Sequence, residues 1–129
     1  MIVVDTSVWV DGLRGREPIA SRLAGALDRD DVALAVPVRI ELLSGARRAE
    51  RARLRRVLSA LPLLAPSDDT WTTIEDWVAT GAAVGHRFGL GDLLIAAIAS
   101  EHACSVWSLD QDFTRLAQLG LVSEYVERA

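Results

Sequence analysis

The sequence predicts an α/β fold: a single domain with a mostly parallel central sheet flanked by helices. Short apolar runs alternate with segments of helical period along the whole chain. Those runs are continuous rather than alternating, as strands buried on both faces require. The 129 residues, half of them hydrophobic and a quarter charged, suffice for one core. Residues 1–129 therefore read as one unit, without repeat, low-complexity tract or linker.

The elements follow in order. Ile2, Val3 and Val4 form a first strand, and Val8 to Leu13 a short helix ended by Gly12 or Gly15. Pro18 to Leu27 carries Ile19, Leu23, Ala26 and Leu27 at helical spacing. Val32–Val36 is a second strand, stopped by Pro37, and a helix runs from about Val38 to Ala46. Glu50 to Ala60 is an arginine-rich helix, and Leu61–Ala65 a short third strand. Ser67-Asp68-Asp69 opens a long helix through Thr80, with Ile74, Trp77 and Val78 on its inner side. Gly89-Leu90-Gly91 breaks the chain before Asp92–Ser100, apolar on all sides and hence a core helix. Cys104–Leu109 is a fourth strand, Phe113–Leu119 a final helix, and Leu121–Val126 an edge strand.

Composition removes several function classes. No apolar run approaches the ~20 residues of a membrane span. Met1 leads into Ile2 without a basic n-region or cleavage site, so no signal peptide is expected. Cys104, the only cysteine, excludes an internal disulfide, fits a reducing cytoplasm and reads as an inert core thiol. The net charge of −4 does not advertise a nucleic-acid binder. All 14 basic residues are arginine, and seven of them fall between Arg39 and Arg56. Without lysine, dehalogenase-type phosphatases, response-regulator receivers and P-loop enzymes are excluded. A serine hydrolase would need a G-x-S-x-G elbow, and Ser7 has no histidine partner in view.

The chemistry points to carboxylates. Asp5 closes the first strand, and taken alone it reads as a helix N-cap. Other acids converge on the same place. Strand ends of a parallel sheet share one edge, so Asp5, Asp110 and Asp112 emerge together. Glu41 and Asp92 lie early in helices that start on that edge. Glu41 is flanked by Ile40, Leu42 and Leu43, which places it beside the buried side of its helix. Asp92 could equally be a cap, Asp110 or Asp112 a turn residue, and Arg39 or Arg47 a partner for Glu41. Carboxylates this close repel one another unless a cation sits among them. Oxygen-only ligands suit Mg²⁺ or Mn²⁺, and zinc is not expected because His86 and His102 show no ligand spacing.

The segments "VVDTSVWVD" at Val3–Asp11, "IELLSGAR" at Ile40–Arg47, "GDLLIAA" at Gly91–Ala97 and "SLDQDF" at Ser108–Phe113 stand in a telling order and spacing. Together they make the chain resemble a PIN domain over its whole length, in particular the VapC-type toxins of bacterial toxin–antitoxin pairs. The resemblance implies Mg²⁺- or Mn²⁺-dependent endoribonuclease activity, with Asp5, Glu41, Asp92 and Asp110 as the acidic site and Asp112 as a fifth acid. It also implies a supporting hydroxyl at Thr6 or Ser7. Ser108 stands where such sequences often carry threonine, and keeps the hydroxyl. A homodimer and a cognate antitoxin whose tail covers the site are implied as well.

In this reading Asp5, Asp92 and Asp110 hold the ion. Glu41 binds a second ion or orients the attacking water, and Asp112 completes the shell or holds a neighbour. Arg39, Arg47 and Arg48 are candidates for RNA phosphates; the later arginines read as a solvated helix face. Trp9, Trp77 and Trp107 read as packing residues, with Trp71 the least determined. Val8, Trp9 and Val10 are candidates for a dimer or antitoxin groove. The rival reading is a PIN-like module that binds RNA or protein without cutting, but such degenerate members would lack acids that this chain keeps.

Overall fold

Strand β1 (Ile2–Val4) is buried along its whole length, which forces it between two neighbours rather than to an edge. A computed structural model describes residues 1–126 of the chain. In it, β2 (Val32–Ala35) and β4 (Ser105–Trp107) flank β1 in parallel, pairing Ile2 with Val32 and Val4 with Trp107. β3 (Leu63–Leu64) adds outside β2, and β5 (Ser123–Glu124) outside β4. The five-stranded sheet is parallel throughout, in the order β3-β2-β1-β4-β5.

Seven helices make the connections: α1 (Thr6–Leu13), α2 (Ile19–Asp28), α3 (Val36–Gly45), α4 (Arg48–Ser59), α5 (Asp68–Ala83), α6 (Leu90–Glu101) and α7 (Gln111–Gln118). The chain steps from β1 through β2 to β3, then crosses back to lay β4 and β5 on the other side of β1. The crossover direction thus reverses between β1 and β4. Open α/β sheets form their ligand crevice beyond the strand ends at such a reversal.

Most boundaries lie one to three residues from those the sequence suggests, for local reasons. Pro37 sits in the first turn of α3, where its missing N–H is no loss, so the helix begins at Val36. Extended Gly89 caps α6, which therefore starts inside the expected Gly-Leu-Gly break. α6 is the central core helix: Leu93 and Ile95 to Ala99 are buried, and it packs against α5, α3 and α7. The edge strand is shorter than Leu121–Val126, and the final three residues of the 1–129 unit lie outside the described ones.

Two inward assignments are corrected. Val78 is 56% exposed, because α5 buries the stripe Thr70, Ile74, Trp77 and Gly81 and Val78 falls one position off it. Ile40 is 60% exposed, since α3 turns Val38 and Leu42 inward. Val8 and Trp9 are fully buried and so are interior rather than part of a groove, while Val10 is half-buried and packs on the core. Trp77 and Trp107 are buried as expected, Trp71 is exposed, and Cys104 is a buried free thiol. No helix among the described residues is long and apolar enough to cross a membrane.

Burial sets a simple contrast in stability. Ile98→Ala leaves a cavity at a fully buried position and should cost about 2–5 kcal/mol. Ile40→Ala should stay within about 0.5 kcal/mol of wild type. Urea titration reads both, and equal losses would contradict the packing described.

Candidate metal centre

The site is built where β1 and β4 end. Asp5 follows β1, and its N–H donates to the Trp107 carbonyl at 2.8 Å, so the two strand ends are tied together. Asp5 occupies the N-cap position of α1, but its carboxylate makes no capping bond. Instead Oδ2 accepts the Ser7 hydroxyl at 2.9 Å and the Ser108 hydroxyl at 2.7 Å. Each hydroxyl in turn accepts a backbone N–H: Leu109 to Ser7 at 3.1 Å, and Asp110 to Ser108 at 3.0 Å. The turn after β1 and the turn after β4 are thereby laced through one buried carboxylate. Thr6 plays no such part, for its buried Oγ1 has no partner among the described residues.

Asp110 is the N-cap of α7, its Oδ1 accepting the Asp112 N–H at 2.9 Å. Asp110 thus caps the helix through one oxygen, a role beyond the turn residue that the sequence offered, while Oδ2 accepts no hydrogen bond from the described residues. Asp92 lies in the first turn of α6, where Gly89 rather than Asp92 takes the cap position. Carboxylate oxygens of Asp92, Asp110 and Asp112 all lie within 4.8 Å of one another.

The cost of this gathering falls on Asp92. A helix N-terminus ordinarily favours a carboxylate, yet its pKa is pushed up to about 6, first by burial, then by the charges of Asp110, Asp5, Asp112 and Glu41. The other four acids singled out in the sequence thus all act on Asp92. Their placement differs from expectation in two respects. Asp112 stands in the tight trio, with Asp5 beside it. Glu41 is exposed on α3 rather than set against a buried surface, because the neighbouring Ile40 also faces solvent. Arg39 is half-buried, and Arg47 and Arg48 are exposed, Arg47 at the N-cap of α4 and Arg48 its first residue.

Two residues the sequence does not single out also reach the cluster. His86 Nε2 lies 3.1 Å from Asp112 Oδ1, and Arg115 Nη1 lies 2.9 Å from the same oxygen. The three-residue spacing of Asp112 and Arg115 on one helix was a readable signal. His86 is brought in from 26 residues away, and nothing in its local sequence marks it.

A donor set of oxygens alone, with one acid whose ionisation is held back by burial and by the charges of the others, fits a hard divalent cation better than zinc. Residues 2–119 match the family model described as PIN domain. The chain is a PIN domain. It belongs, moreover, with the VapC ribonucleases: it is 30% identical to ribonuclease VapC11 of Mycobacterium tuberculosis over 133 residues, covering 92% of this chain and 93% of that protein. Among solved structures, FitAcB from Neisseria gonorrhoeae superposes with a TM-score of 0.77 at 22% identity, covering 98% of this chain and 97% of the other. VapBC-5 from Mycobacterium tuberculosis, a member of the VapBC family of toxin–antitoxin systems, gives a TM-score of 0.62 at 28% identity, with the same coverage. This PIN domain thus shares its fold with both.

The raised Asp92 pKa has a consequence for stability. A proton on Asp92 favours the folded state; that contribution is full below 3.8 and is lost as pH rises through about 6. In EDTA at pH 8, Asp92→Asn should therefore be the more stable protein, by on the order of 1 kcal/mol after solvent screening. The gap should close near pH 4. Thermal scans across pH check this, and a wild type more stable than the variant at pH 8 would contradict it.

Proposed function

We propose that this PIN domain is a Mg²⁺- or Mn²⁺-dependent endoribonuclease, the toxin of a toxin–antitoxin pair, hydrolysing RNA phosphodiester bonds at the acidic site. The carrying observation is the convergence of four carboxylates on Asp92 at the reversal of the sheet. When bound, the ion supplies an acidified water and positive charge to offset that growing on the scissile phosphate. Asp92, Asp110 and Asp5 would hold it, directly or through water, with Asp112 completing the shell. Ser7 and Ser108 keep the Asp5 carboxylate in one orientation by donating to Oδ2. Glu41, exposed and within electrostatic reach of Asp92, would bind a second ion or orient the attacking water. Hydrolysis in this way leaves a 5′-phosphate and a 3′-hydroxyl.

Arg39, Arg47 and Arg48 lie on or just after the Glu41 helix and can meet backbone phosphates, which would make affinity fall with salt. A cognate VapB-type antitoxin and a homodimer complete the proposal, supported by relatives that occur as toxin–antitoxin complexes. The reducing cytoplasm is the compartment that suits a lone buried thiol.

Calorimetric titration of Mn²⁺ and Mg²⁺ into wild type and Asp5→Asn, with RNA cleavage assayed on the same antitoxin-free samples, tests the proposal. Binding and cleavage should both fall in the variant, by about 100-fold or more in rate. A wild type that binds neither metal and cuts no RNA would leave the non-catalytic module as the reading.

A further inference from the structure

Helix α5 does not simply fray after Ala83. The His86 N–H donates back to the Gly81 carbonyl at 2.9 Å, and the Gly85 N–H to the Ala82 carbonyl at 3.1 Å. Gly85 takes the left-handed conformation, φ +72°, that this paired helix stop requires. A side chain at Gly81 would meet the His86 carbonyl at 2.7 Å and the Phe88 ring at 3.2 Å, so the returning chain lies directly on the helix. The backbone of His86 is thereby fixed by hydrogen bonds and by close contact. Its ring packs edge-on against buried Phe88, centroids 4.4 Å apart.

The imidazole held in this way points Nε2 at Asp112 Oδ1, 3.1 Å away. In the tautomer that carries its hydrogen on Nε2, the ring donates to this carboxylate oxygen. Arg115 donates to the same oxygen, but its side chain is half exposed and spans only three residues of one helix. Exposed pairs of that kind hold geometry weakly. The His86 contact comes from a different element and is the more constrained of the two. Asp112 Oδ2 accepts no hydrogen bond from the described residues.

We propose that His86 is a positioning residue for the metal centre: the stop of α5 presents Nε2–H to Asp112 and so fixes the carboxylate that shares a cluster with Asp92 and Asp110. This rests on the metal-dependent reading above. Carboxylates that ligate metals are themselves hydrogen-bonded, and removing such a partner typically costs 10–100-fold in affinity or activity. His86 would act through Asp112, and no contact with RNA is required of it.

The test is Mn²⁺ affinity, by calorimetry and by the electron paramagnetic resonance of the free ion, for wild type, His86→Leu and His86→Gln. Leucine keeps apolar packing on Phe88 and removes the donor; glutamine places an amide N–H at the position of Nε2. The expected result is about a tenfold loss of affinity in His86→Leu and recovery of most of it in His86→Gln. The metal-free melting temperatures should remain within a few degrees of one another. Gly81→Ala, which forces the loop off α5 without touching the acids, should weaken Mn²⁺ in the same direction. Unchanged affinity in His86→Leu, or equal impairment in His86→Gln, would overturn the proposal while leaving the metal centre standing. A wild type that binds no Mn²⁺ would overturn both.

Discussion

Repulsion among carboxylates is what the remainder of this molecule is arranged around. Asp92 starts a core helix whose dipole should welcome its charge, and is nonetheless driven up to about pH 6 by burial and by Asp110, Asp5, Asp112 and Glu41. Here the two segments that bring them together are bound by specific hydrogen bonds, through Ser7 and Ser108 to a single oxygen of Asp5. The stabilising contacts of the sheet and of α6 offset the electrostatic cost, and a bound divalent ion would remove it.

The parallel sheet explains how so few residues achieve this. All strand ends share one edge, and the order β3-β2-β1-β4-β5 puts the reversal of crossover direction between β1 and β4. Asp5 and the Ser108–Asp112 turn leave the sheet side by side there, while α6 delivers Asp92 from the segment preceding β4. The buried strand and helix surfaces therefore do chemical positioning as well as folding. The loop ending α5 adds one more connection, carrying His86 to Asp112.

Much of this is written in local sequence. The continuous apolar runs at Ile2–Val4 and Val32–Ala35 reveal double-sided burial, and the acids that follow strands or open helices reveal the edge. Where the pattern is ambiguous, three-dimensional context decides. Val8 and Trp9 look the same whether they face a groove or the core, and the packing of α1 places both inside. Ile40 beside Glu41 suggests a buried acid, but α3 turns Val38 and Leu42 inward and leaves both residues exposed. Asp110 serves as cap and cluster member at once, accepting the Asp112 N–H while lying within the carboxylate trio. His86 could not be read from spacing, since its contact with Asp112, 26 residues on, depends on how the stop of α5 folds back.

The central claim is that the crowded carboxylates form a cation site in which burial and the neighbouring charges hold back the ionisation of Asp92. Proton release on Mn²⁺ binding tests it most directly, measured by calorimetry in buffers of different ionisation enthalpy. At pH 6, binding should release about half a proton per ion as Asp92 ionises, and at pH 8 almost none. Binding without proton release at pH 6 would show that the acids do not restrain one another as described, and the account would fail at its root.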